Sequence, residues 1–215
     1  MMKTVLLTGF EPFNKATINP AWEAVRALEG WCGDGFRVEV RQLPCVFGEA
    51  IATITQAVDA LQPDIVIAVG QAGGRPDISV ERVAINVDDA SILDNAGLQP
   101  VDAAIVADGP AAYFSTLPIK AIVRACREQG LVAGVSQTAG TFVCNHVFYG
   151  LMHHVAERGI KAGFIHVPFL QEQAAARPDN PPFMDLDDIV AGIRTAVEVS
   201  LATAVDIDET GGATH

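Results

Sequence analysis

The sequence predicts an α/β protein: a single three-layer α/β/α domain over residues 1–205, with a twisted, mostly parallel central sheet and a polar tail at 206–215. Three observations predict it. Ile65-Val-Ile-Ala-Val69 is a continuous apolar run, the pattern of a parallel strand covered on both faces. Strand-like and helix-like patterns alternate along the chain, as crossover connections between parallel strands require. The chain of 215 residues, 50% of them hydrophobic and 19% charged, is large enough to bury one sizeable core.

Each element has its own signal. Thr4–Thr8 reads as a first strand. Asn19-Pro20 reads as an N-cap followed by proline at the first helical position, with the helix running to Gly30. Phe36, Val38 and Val40 alternate as a strand near an edge. Ala50, Ile51, Ile54, Ala57, Val58 and Leu61 form a helical stripe that Pro63 stops. Ile78 to Val87 is a further strand, and Asp88–Gly109 is an insertion of ambiguous structure. Leu131, Val132, Ala133 and Val135 form a short buried strand, and Ala162–Phe169 a late one. Leu117–Gln129, Cys144–Arg158 and Leu186–Ala204 are helices, and residues 206–215 form a loose tail.

Composition excludes several classes of function. At a formal net charge of −12 the chain has no basic patch for phosphate backbones, so nucleic acid is not a partner. No apolar run is long enough to cross a bilayer, and the short one at Val5–Leu7 lacks the flanks of a signal peptide. Cys32, Cys45, Cys126 and Cys144 show no Cys-x-x-Cys pair and no zinc-like spacing, which fits a reducing cytoplasm. His146 and His153 are seven residues apart on one helix, roughly 10 Å in rise, too far to share a metal.

Cys144 is the most informative residue. It stands where an apolar strand passes into an amphipathic helix, and Gly140 permits a sharp turn just before it. A thiol there meets the unpaired N–H groups and positive dipole end of the helix, which favour thiolate. The alternative is a core cysteine. His166 lies near the C-terminal end of its strand, where ligands of open α/β sheets gather, and could take the thiol proton and return it to a leaving amine. An isolated strand histidine is otherwise a structural residue. Glu81 shares a face with apolar residues 83, 85 and 87 if its strand is regular, although Ile78 and Val80 have the opposite parity. A bulge at Glu81 or burial of both faces would account for that change. A buried carboxylate needs a partner, either an imidazole that it orients or the guanidinium of Arg75 or Arg82. Gly70-Gln-Ala-Gly-Gly74 follows a strand but matches no nucleotide-phosphate motif. Phe10, Phe13 and Phe142, in loops beside Gly9, Pro12 and Cys144, suggest a small flat apolar pocket.

From these residues outward, the chain resembles the pyroglutamyl peptidase I (pyrrolidone-carboxylate peptidase) family, nearly end to end. The resemblance rests on Leu6-Leu-Thr-Gly-Phe-Glu-Pro-Phe13, Asn19-Pro-Ala-Trp-Glu-Ala-Val25, Val69-Gly-Gln-Ala-Gly-Gly-Arg75 and Glu81-Arg-Val-Ala-Ile-Asn86. It continues through Gly109-Pro-Ala-Ala-Tyr113, Leu117-Pro-Ile-Lys120, Ala139-Gly-Thr-Phe-Val-Cys-Asn-His146, Phe148-Tyr-Gly-Leu-Met152, Gly163-Phe-Ile-His-Val-Pro168 and Glu209-Thr-Gly-Gly212. The resemblance implies a cysteine exopeptidase that removes N-terminal pyroglutamate (5-oxoproline) from peptides through a triad matching Cys144, His166 and Glu81. It implies pocket aromatics at Phe10, Phe13 and Phe142, and lactam-binding motifs around Gln71 and Val143. It further implies a cytosolic, tetrameric enzyme without cofactor or metal.

The chain also departs from the family pattern. Ala90-Ser-Ile-Leu-Asp-Asn95 stands where the family reads Ala-Arg-Ile-Pro-Asp-Asn, so Ser91 replaces an arginine expected near the thiol, and Leu93 replaces proline. Asn14-Lys15 replaces glycines and Gln171 a proline. Loss of the arginine would weaken support for thiolate and oxyanion unless a group such as Arg75 substitutes. Two other readings follow from the same fold: a ligand-binding or redox-responsive protein with weak turnover, and a nucleoside phosphorylase-like enzyme, for which no phosphate site is evident.

Overall fold

The structure, a computed structural model, describes residues 2–212. Its centre is a seven-stranded sheet built from β1 (Lys3–Phe10), β2 (Cys32–Gly33), β3 (Phe36–Leu43), β4 (Ile65–Gln71), β5 (Ile78–Glu81), β8 (Ala133–Ser136) and β9 (Lys161–Val167). Two more strands, β6 (Val83–Ile85) and β7 (Ala112–Phe114), pair separately and antiparallel. The large sheet has the order β2-β3-β1-β4-β9-β5-β8. All neighbours in it are parallel except β2–β3 and β5–β9.

Helices cover both faces, because the strands alternate two apolar sets. Val5, Leu7, Ile65, Ile67, Ile165 and Val167 face a core closed by α1 (Pro20–Arg26), α3 (Ile119–Glu128) and α6 (Leu186–Ala202). Leu6, Val66, Ala68, Ala162 and Phe164 face the opposite core, closed by α2 (Glu49–Leu61) and α4 (Val143–Val155). This is the expected α/β/α layering. At the start of α1, the Asn19 side chain accepts from the Ala21 N–H, and Pro20 occupies the first turn as expected.

The structure differs from the sequence-based expectation at several places. The strand expected over Ile78–Val87 breaks at Arg82: β5 stays in the large sheet, whereas β6 leaves it to pair with β7. The change of parity at Glu81 marks that break, and Arg82 bridges the two parts, donating its N–H to Ser136 and accepting from the Ser115 N–H. The first helix stops at Arg26, where backbone turns replace its final part up to Gly30. A short helix, α5 (Gln171–Ala175), stands where none was expected. Nor are residues 206–212 loose. The Asp206 carboxylate accepts from the Lys120 and Ala121 N–H groups at the start of α3, and the Gly211 carbonyl accepts from Arg82 and Gln137. Residues 213–215 of the expected tail lie outside the described residues. Asn14 and Lys15 have φ of +50° and +65°, so side chains occupy left-handed positions that suit the glycines expected there.

Candidate active site

The site forms where β4 and β9 end and α4 begins. Gly70 and His166 are direct partners across the β4–β9 ladder, so both point to the α4 side of the sheet. The thiol of Cys144 lies over Gly70. A Cβ there would come 2.8 Å from Sγ and equally close to the Phe164 ring, so only glycine leaves room for the sulfur against the strand. Glu81, last residue of β5 and wholly buried, lies on the same face. His166 Nδ1 and Glu81 Oε1 are 2.7 Å apart, in a pair with almost no solvent access. Because a carboxylate accepts, Nδ1 carries the proton, and Nε2 is left free to act as a base.

Arg75 completes this arrangement. Its guanidinium donates to the same Glu81 Oε1 at 2.8 Å, to the Ser136 hydroxyl at 3.2 Å and to the Thr138 carbonyl at 3.0 Å. The two partners expected for Glu81, an imidazole and an arginine, are therefore both present. Arg82 instead bonds Gln137 and Gly211.

Burial works against the thiolate that the helix end is expected to favour. It raises the Cys144 thiol above its ordinary value of 9.0; Cys45, where it ionises, and the charge of Glu81 raise it further. Arg75 acts the other way, lowering it. The N-terminus of α4 keeps its other use. Phe142 at the N-cap provides no side-chain hydrogen bond, so the N–H groups of Val143, Cys144 and Asn145 lack intrahelical acceptors.

The expected pocket residues do not all share one setting. Phe13 and Phe142, both partly buried, hold their ring centroids 6.2 Å apart, and Phe47 meets Phe142 edge-on at 5.4 Å. Phe10 is instead a core residue, only 2% exposed, with its ring against Phe164. Val143 is fully buried. The Gln71 side-chain oxygen accepts from Gln173 Nε2 of α5 at 3.0 Å.

The insertion at 88–109 bridges the two loops that carry Phe13 and Phe142. Asp89 and Thr141 exchange two hydrogen bonds, from the Asp89 N–H to the Thr141 carbonyl and from the Thr141 hydroxyl back to the Asp89 carbonyl. At the other end, Asn95 donates to Glu11 and to the Pro12 carbonyl. Ser91 is exposed on the span between them. Sequence reasoning missed the residues that anchor this insertion. Buried Asn145 clamps Ile85 and Val87 through both ends of its amide, and buried His146 contacts Asp88 and Gly48. Two adjacent polar residues on the apolar side of a helix were the available signal.

Among the described residues, no three His, Cys, Asp or Glu side chains converge as a metal site, and no helix is long and apolar enough to cross a membrane. A cavity of about 580 Å³ lies elsewhere, between α3, β8 and residues 209–212. Chemistry rather than cavity size therefore locates the site.

A buried His–Glu pair on the same sheet face as a cysteine at a helix N-terminus, in a doubly covered, mostly parallel sheet, defines an α/β protein equipped for thiol chemistry. The pyroglutamyl peptidase family model matches residues 3–203. The pyrrolidone-carboxylate peptidase of Cupriavidus taiwanensis is 62% identical over 217 residues, covering all of both chains. The crystal structure of pyroglutamyl peptidase I from Bacillus amyloliquefaciens superposes with a TM-score of 0.94 at 46% identity, covering 98% of this chain and 100% of that one. A mutant pyrrolidone carboxyl peptidase from Pyrococcus furiosus gives a TM-score of 0.91 at 40% identity, covering 94% and 100%. This chain belongs to the pyroglutamyl peptidase family and is a cysteine peptidase.

Proposed function

We propose that the chain hydrolyses the bond after an N-terminal pyroglutamyl residue, with Cys144 as nucleophile, His166 as base and then acid, and Glu81 holding the imidazole. The observation that carries this reading is the 2.7 Å contact between His166 Nδ1 and Glu81, on the sheet face where the Cys144 thiol lies. His166 Nε2 takes the thiol proton as sulfur attacks the pyroglutamyl carbonyl carbon. Because the free thiol is raised, proton transfer accompanies attack instead of preceding it. The developing oxyanion meets the N–H of Cys144 at the uncapped start of α4. His166 then protonates the leaving amine, and the ring charge is balanced by Glu81. Water, deprotonated by His166, attacks the thioester and releases pyroglutamate and the thiol. The Phe13 and Phe142 rings offer faces for a flat lactam, and Val143 and Gln71 are taken as lactam-binding positions by family resemblance.

The reading uses no metal or cofactor. It takes residues 1–205 as one domain from the alternation of strands and helices, in the cytoplasm from cysteine usage and family resemblance, and as a tetramer by family resemblance; light scattering of the purified protein tests the assembly. Hydrolysis of a pyroglutamyl fluorogenic amide tests the chemistry. Cys144→Ala and Cys144→Ser should fold normally and lose activity by more than about a thousandfold, since neither provides a thiol for the base to activate. Substantial turnover by the alanine variant would remove Cys144 from the mechanism.

A further inference from the structure

We propose that His146 is a positioning residue that holds the Phe142 wall of the pocket, acting through Asp88, Gly48 and Phe47; the inference rests on the functional reading above. His146 is two residues beyond the nucleophile and only 6% exposed. Its Nε2 lies 2.8 Å from the main-chain nitrogen of Gly48, which can only donate, so Nε2 is an acceptor. The ring proton therefore sits on Nδ1, 2.7 Å from Asp88 Oδ2. Asp88 is also buried, and its Oδ1 has no hydrogen-bond partner among the described residues. An unpaired buried carboxylate oxygen is costly, so the arrangement tolerates a penalty to hold this imidazole in one orientation and tautomer.

The contacts run from that ring to the pocket. Phe47, next to Gly48, packs edge-on against the His146 ring at 5.2 Å and against Phe142 at 5.4 Å. The Phe47 N–H is itself held by Asp94 at 2.9 Å. On the other side, Asp88 exchanges backbone hydrogen bonds with Ala103, and neighbouring Asp89 is bonded to Thr141, beside Phe142. His146 thus fixes the Phe142 ring from behind, through Phe47, and from its backbone, through the 88–89 segment. No hydrogen bond on either path reaches His166 or the thiol, so the effect belongs to ground-state binding of the lactam and not to the chemical step.

Steady-state hydrolysis of a pyroglutamyl fluorogenic amide tests this by separating KM from kcat. An asparagine at 146 can reach Asp88 in place of Nδ1 but cannot reach Gly48; a glutamine can accept from Gly48 in place of Nε2. His146→Asn should raise KM about tenfold with kcat within about threefold of wild type, whereas His146→Gln should recover most of the lost KM. Phe47→Leu, which breaks the path one contact further on and serves if His146→Asn does not fold, should also raise KM severalfold. A wild-type KM in His146→Asn or Phe47→Leu, a loss confined to kcat, or a glutamine variant no better than asparagine overturns the proposal. Phe142→Ala separates the two levels. If it raises KM while the His146 and Phe47 variants do not, only the positioning role falls. If it leaves KM unchanged, or if the wild type does not hydrolyse the amide, the pocket reading falls and this inference with it.

Discussion

At Cys144 two fixed charges act in opposite directions from nearly the same place. Glu81 raises the thiol and Arg75 lowers it, while both are joined by a hydrogen bond. Glu81→Gln should therefore have a divided effect. Removing the negative charge eases ionisation of the thiol, so iodoacetamide should alkylate Cys144 faster at a fixed neutral pH, by about three- to tenfold. Peptide hydrolysis should slow at the same time, because an amide cannot stabilise the imidazolium. Arg75→Ala should slow alkylation by about two- to threefold, a smaller change because this guanidinium is partly exposed and screened by solvent. Cys32 is exposed, so both measurements belong in a Cys32→Ser background. If Glu81→Gln slows alkylation, a preformed thiolate–imidazolium pair exists and the raised thiol is the wrong description. Ser91 is exposed on the bridging segment, and Arg75 is a cation that lowers the thiol.

At the scale of the element, what the sequence made legible follows from how local each signal is. The Ile65–Val69 run, the Asn19-Pro20 start and the helical stripes of α2 and α4 are written in consecutive residues, and the structure has them. Cys144, His166 and Glu81 could be singled out because a thiol, an imidazole and a carboxylate stand out against apolar runs. The break at Arg82 was visible only as a change of parity, since its cause is pairing with Ser115 and Ser136, distant in the chain. The Asp88–His146 pair joins residues fifty-eight apart, and no periodicity announces such a contact. Helix α5 is five residues long, too short for a stripe. Its first position is nevertheless prepared for the proline the family pattern expects. Leu170 has φ −77° and ψ 158°, the extended conformation required before proline, and the first N–H of a helix has no intrahelical acceptor. Gln171→Pro should therefore stabilise the protein by about 0.5–1 kcal/mol through the unfolded chain, with KM unchanged. Urea denaturation checks this, and a destabilised variant would show that the Gln171 N–H or side chain has a native role.

At the scale of the whole molecule, the buried thiols tie stability to alkaline pH. Cys45 is 3% exposed, and burial with the charges of Glu11 and Asp94 pushes it up to about 12. Cys126 has no exposure, faces the Gly192 carbonyl at 3.9 Å and is raised by burial to about 11. In the unfolded chain such thiols ionise near 9.0. Below that pH both states keep the protons, and the native preference for neutral thiols is fully present. Above it the unfolded chain loses protons that the native protein retains, so stability falls as pH rises, until the folded values are reached. The loss should be about 1 kcal/mol for each thiol between pH 9 and 10. Cys144 and Tyr149, both raised, act in the same direction. Lys161 is lowered by burial and by Lys3, so over its own range it makes stability rise with pH and partly offsets the thiols. Urea unfolding under reducing conditions at pH 8, 9 and 10 would give the slope. Cys126→Val should flatten it whatever the substitution does to stability at pH 8, because the change removes a titrating group as well as altering packing. If Cys126→Val keeps the wild-type slope, the alkaline loss comes from the other titrating groups, and the burial of Cys126 has no part in it.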